Sequence, residues 1–147
     1  MNIFVLDKNP VIAAEMACDK HVIKMVLESA QILSTISGGK YKPTHKNHPC
    51  TIWARSSKEN YQWLTTHATA LSKEYTLRYG KIHKSTEVIN QAKNFDDFPS
   101  IELTEFVQAM PDKYRNKDVV KAYRNYYRGE KSGFATWKNR NPPDWWN

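Results

Sequence analysis

His21, Lys24, Glu28 and Gln31 are separated by three, four and three residues. On a helix, where each residue turns about 100°, that spacing lines all four along one narrow stripe. An imidazole, an ammonium, a carboxylate and an amide in one line can move protons and hold charge. The flanks of the stripe are apolar. Ala14, Cys18, Val22, Met25, Val26, Ile32, Leu33 and Ile36 fall on one broad face, and Ile23 and Leu27 on the far side. A helix apolar on two sides is expected to be buried on two sides, which makes the stripe the lining of a cleft. Two readings follow. Glu28 with Lys24 and His21 is a structural ion cluster, worth about 0.3–0.5 kcal/mol per exposed pair. Alternatively, Glu28 and His21 are a carboxylate and an imidazole held on a rigid floor for catalysis, with Lys24 and Gln31 binding substrate beside them.

A second group of candidates lies in the loop from Lys40 to Pro49, which carries two prolines and two histidines. Lys42, Thr44, His45 and His48 put cation, hydroxyl and imidazole on a stiffened backbone, which suits a phosphate or base contact. A plain surface loop has the same composition. His45, His48 and Cys50, joined by Cys18 and His21, also offer zinc-type ligands. Their spacing matches no standard framework, so no metal is expected. Arg55 is a further cation for substrate. Arg78, Lys81, His83 and Lys84 gather at a predicted helix C-terminus, as a solvated patch favoured by the dipole or as a phosphate contact. Arg124 and Tyr127 belong to an interleaved run, Tyr123 to Arg128, that stacks on bases or packs as core. His67, between Leu64 and Leu71, reads as a core histidine.

The elements that must position these groups are mainly helical. Met1 to Asp7 reads as a short strand or extended arm. Asn9 caps a first helix that starts at Pro10 and is expected to run unbroken to Ser37, where Gly38-Gly39 stops it. A second helix is expected over Thr51 to Tyr79, ended by Gly80, and a third over Thr86 to Lys93. Asn94 to Ser100 is loop, and Ile101 to Met110 adds a helical turn or two. Asp118 caps a last helix through Arg128, with Gly129 behind it. Phe134, Trp137, Trp145 and Trp146 make the tail too apolar to float. The expected fold is mainly α: one compact helical domain over 1–147 with a short extended N-terminal segment.

Composition bounds the function. The chain of 147 residues has 22 Lys and Arg against 15 Asp and Glu, a net charge of +7, with 12% aromatic residues. Basic charge draws a phosphate backbone and aromatic faces stack on bases, so the expected partner is DNA or a nucleotide. With 40% hydrophobic residues the chain is globular rather than disordered. Two cysteines exclude a disulfide scaffold. No apolar run suits a bilayer or a signal peptide, and a soluble, cytoplasmic monomer without membrane contact is expected. No phosphate loop, dinucleotide glycine motif or nucleophile elbow is present, and no cofactor is expected.

Three features together resemble the pyrimidine-dimer DNA glycosylases of the phage endonuclease V type. The apolar start Met1-Asn2-Ile3-Phe4-Val5 leads into a helix. That helix holds Asp19-Lys20-His21 followed by Glu28, similar to the family's Asp-Gln-His with its catalytic Glu at the same offset. Tyr123 to Lys131 resembles the family's aromatic, basic end segment. The resemblance implies that an N-terminal amine attacks the sugar C1′ of a damaged nucleotide and forms an imine, while the Glu stabilises the positive sugar. An α-amine titrates at about 7.7–8.0, so a useful fraction is free at neutral pH. Met1 and Asn2 are the candidates at that end. Asn at position 2 is a poor context for removing Met1. Leu27 stands where the resemblance implies an arginine, and Lys24 is the substitute cation.

The leading expectation is a DNA glycosylase with lyase activity on damaged or modified pyrimidines, centred on Glu28 and His21. A second is a base- or nucleotide-modifying enzyme with a pocket of Glu28, His45 and His48. A third is a phage-type module that binds nucleic acid or protein without catalysis.

Overall fold

In a computed structural model, which describes residues 1–146, the described residues form six α-helices and no strand. They are α1 (Pro10–Met16), α2 (Asp19–Ser37), α3 (Pro49–Arg55), α4 (Lys58–Tyr79), α5 (Thr86–Ala92) and α6 (Val119–Glu130). The fold is mainly α, as its periodicity predicts. α4 is the central element, packed against α1, α2, α3 and α5. Among the described residues no helix is long and apolar enough to cross a membrane.

The helix ends follow local chemistry. Asn9 accepts the backbone N–H groups of Val11 and Ile12, and Pro10 opens α1. Asp118 does the same for Val120 and Lys121 at α6. Gly38 and Gly80 end α2 and α4 with φ near +70°, a conformation only glycine adopts without strain. Gly129 does not end α6, which continues to Glu130. It lies instead under the Tyr114 ring, where a Cβ would collide with the aromatic carbons.

Three expected elements are corrected. The helix expected over Pro10–Ser37 breaks at Ala17 and Cys18, both extended. Arg78 of α4 takes the freed carbonyls of Glu15 and Ala17, at 3.0 and 2.7 Å. The helix expected over Thr51–Tyr79 breaks at Ser56 and Ser57. Asn60 and Ser56 donate to the Trp53 carbonyl that ends α3, and Ser57 caps α4. Ile101–Met110 forms no helix, because other residues occupy its backbone groups. Trp53 Nε1 donates to the Glu105 carbonyl, and Thr104 N–H donates to Asn60. The Tyr123 hydroxyl donates to the Val107 carbonyl and accepts the Ala109 N–H.

The N-terminal arm, expected as a strand or extended segment, forms no strand and turns at Phe4, where φ is +40° and the Leu6 N–H donates to the Phe4 carbonyl at 2.8 Å. Ile3, Val5 and Leu6 are buried, so the arm threads the core rather than lying on it. Asn2 fastens it: its side-chain oxygen accepts the Ile3 and Phe4 N–H groups, and its amide donates to the Ala109 carbonyl at 2.7 Å. The tail packs down as expected. Trp137 is buried and donates to the Met16 carbonyl, and Trp145 and Trp146 rest against Tyr127.

Candidate active site

The buried arm carries the chain's first residue across α2, and there it meets the stripe. The α-amino nitrogen of Met1 lies 3.1 Å from Glu28 Oε1. Lys24 Nζ stands 3.6 Å from the other oxygen, Oε2, which is buried and accepts no hydrogen bond among the described residues. Met1 is half-buried as a residue although its side chain is only 2% exposed, so solvent reaches its main chain. The Glu28 side chain is 10% exposed, and Lys24, 69% exposed, reaches it from the solvent side. A carboxylate with one oxygen on an amine and one short of a partner retains acceptor capacity for a reacting group.

His21 occupies the next position of the stripe and is also buried. Its ring stacks on Phe4 at 4.2 Å, and Nδ1 lies 2.6 Å from the Tyr127 hydroxyl. Burial, reinforced by Lys131, Lys24 and Lys20, pulls the His21 pKa down to about 3, so the ring is neutral. Burial pushes the Tyr127 hydroxyl well above its ordinary range, and that hydroxyl also accepts the Cys18 N–H at 3.3 Å. A protonated Tyr127 donating along its shortest contact gives His21 an Nε2–H, on the ring edge away from Tyr127.

Ile23 and Leu27 correct the picture of a helix buried on two sides: both are more than 40% exposed. The outward face of α2 carries Lys20, Ile23, Lys24 and Leu27, with Gln31 half-buried beyond them.

The remaining candidates divide by position. His48 caps α3, its Nδ1 accepting the Cys50 N–H at 3.0 Å. Burial, then the N-terminal amine and His45, hold its imidazole below the usual range. His45 is exposed with φ +49° and contacts Thr44 Oγ1 at 2.8 Å, and Thr44 N–H donates to Thr35. Lys42 is exposed, and Arg55 donates to the Lys46 carbonyl. Arg124 holds the arm through the Leu6 carbonyl at 2.9 Å and lies over Trp145. Arg78 and Tyr127 are not surface groups. Arg78 is fully buried on Glu74, Asp19 and the carbonyls of Glu15 and Ala17, and Tyr127 is fully buried beneath His21. Asn2 is the clip on the arm rather than an open group.

The metal-capable residues do not converge: among the described residues no group of three or more His, Cys, Asp or Glu is placed to hold an ion. Burial pushes the Cys50 thiol up to about 12, so it is no thiolate.

Several contributors are given no role by the sequence, although Phe4 and Asp19 lie inside the motifs that carry the resemblance. Phe4, at φ +40°, forms the wall behind His21. Asp19 accepts the Lys138 N–H, the Thr136 hydroxyl and Arg78, and so ties the tail to the start of α2. Only Glu74–Arg78, an i,i+4 pair, had a spacing signal.

No curated protein and no solved structure matches the chain. A family model described as pyrimidine dimer DNA glycosylase matches residues 1–88. That span holds the arm, α1 to α4 and most of the α2 surface, including the amine and the carboxylate. By this match over more than half its length, the chain belongs to the pyrimidine dimer DNA glycosylase family.

Proposed function

We propose that the protein removes a pyrimidine lesion from duplex DNA and then cleaves the strand at the resulting abasic sugar, using the α-amine of Met1 and the carboxylate of Glu28. The supporting observation is their 3.1 Å separation, with the exposed Lys24 ammonium 3.6 Å from the other carboxylate oxygen. Family membership supports DNA as the polymer and a damaged pyrimidine as the target.

The free amine adds to C1′ of the lesion nucleotide as the glycosidic C–N bond breaks. The base leaves with that electron pair and gains a proton. Glu28 takes the proton the amine releases, and its charge stands opposite the cationic sugar carbon. O4′ departs from C1′ and is protonated, leaving an iminium. Loss of a C2′ proton then expels the 3′ phosphate by β-elimination, and water hydrolyses the imine to free the amine. His21 is neutral, and its Nε2–H, two helical turns from Glu28 on α2, is suited to a phosphate or sugar oxygen.

The test is strand incision on a duplex bearing a single cyclobutane pyrimidine dimer, with Glu28→Gln alongside. The full chain should incise at the dimer, and the variant should lose about 10²–10³-fold in rate. Equal incision by both proteins, or none by either, overturns the reading.

A further inference from the structure

We propose that Leu27 and Ile23, with Ile82 behind them, form an aliphatic wedge that enters the base stack beside the target nucleotide. The inference rests on the reading of a DNA-acting site given above.

Ile23 and Leu27 are four residues apart, so they share one face of α2, and they are 42% and 41% exposed. The turn after α4 lies against them, because His83 Nε2 donates to the Ile23 carbonyl at 3.1 Å. That turn brings Ile82, 78% exposed. Lys20 and Lys24 stand on the same face of α2, and Lys81 and Lys84 are on the turn with Ile82. Among the described residues Lys20, Lys81 and Lys84 form no ion pair, and Lys24 reaches only Glu28. Two exposed aliphatic side chains of α2, and a third on the turn bonded to Ile23, thus share their elements with four exposed lysines.

This pairing selects the occupant. Lysine is depleted at protein–protein contacts, where its charge must be desolvated. A duplex has the opposite requirement, with phosphates outside and an apolar stack within. Leu27 is also one helical turn from Lys24, whose Nζ lies 3.6 Å from Glu28 Oε2, so the wedge borders the approach to the carboxylate. A nucleotide cannot present C1′ to the amine while stacked, and the step it leaves must be held open. Leu and Ile side chains fill such a gap, whereas a lysine cannot fill it without being desolvated.

The probe is a duplex carrying a stable tetrahydrofuran abasic analogue with 2-aminopurine as the adjacent base, so no chemistry is needed for the signal. Binding of the full chain should raise 2-aminopurine fluorescence. The double variant Ile23→Ala, Leu27→Ala should still bind, but with the rise cut about fivefold or more, and Leu27→Met should restore it. Both alanines are on exposed helix positions, so thermal melting should be unchanged. Three outcomes overturn the wedge: a wild-type rise in the double variant, no rise with the wild type, or a dimer of the wild type that the double variant dissolves. Fluorescence and strand incision separate the two proposals. A rise without incision at a dimer keeps the wedge and removes the chemistry. Incision with full fluorescence in the double variant keeps the chemistry and removes the wedge.

Discussion

Glu28 Oε1 receives the α-amine of Met1 at 3.1 Å, while its Oε2 is buried without a hydrogen bond among the described residues. Two devices bring the amine there: burial of Ile3, Val5 and Leu6, and the Asn2 clip on the Ala109 carbonyl. Asn2→Ala removes the clip and leaves the Ile3 and Phe4 N–H groups without their acceptor, which costs about 1–3 kcal/mol in a denaturant titration. Incision should fall further than stability does, because the amine loses its fixed position.

Arg78 is the second expected point of failure. It joins Glu74 and Asp19 to the carbonyls of Glu15 and Ala17, and it is fully buried. Arg78→Met strands two carboxylates and two carbonyls and should cost about 3–5 kcal/mol by chemical denaturation. Arg78→Lys keeps the charge but not the planar fork, and should recover only part of that loss. Recovery of full stability by lysine would show that the fork geometry is not required.

His21 and His67 set an acid limit. Burial lowers His21 to about 3 and His67 to about 4, against an ordinary value of 6.5. Between the folded and unfolded values the unfolded chain binds more protons, so stability falls as pH falls. The full contribution is present above about pH 6.5 and is lost progressively toward pH 4, and for His21 toward pH 3. Urea midpoints measured from pH 7 to pH 4 should decline. His67→Gln should flatten that decline, with Gln able to donate to the Pro10 carbonyl as His67 Nδ1 does at 2.9 Å. An unchanged slope in the variant would rule out His67 as a source.

Tyr127→Phe should release the His21 ring. The hydroxyl accepts the Cys18 N–H and faces His21 Nδ1 at 2.6 Å, so its loss leaves two buried groups unpartnered, at about 1–3 kcal/mol each. Nitrogen-15 NMR should report the Nε2–H tautomer in the wild type and a mixture in the variant. A wild-type mixture would contradict the lock.

Local signals were legible and distant ones were not. Asn9-Pro10, Gly38, Gly80 and Asp118 announce helix ends through groups within a few residues, and the structure has those ends where expected. The break at Ala17 gave no sign, because Arg78, which satisfies it, is 61 residues further along the chain. The stripe of His21, Lys24, Glu28 and Gln31 was readable from period alone. Its burial was not, since Ile23 and Leu27 look like core on a helical wheel and are exposed. Tyr127 and Arg78 carry the residue types of a binding surface, yet both are spent inside. The nearness of Met1 to Glu28 had no signature in spacing and was implied only by the family resemblance.

The most direct test is to reduce the reaction with a dimer-bearing duplex by borohydride and map the trapped sugar by peptide mass spectrometry. The adduct should be on the α-nitrogen of Met1, and blocking that amine by mild acetylation should abolish it. A sugar carried by a lysine side chain such as Lys24, or trapping undiminished after the amine is blocked, would contradict the proposed nucleophile.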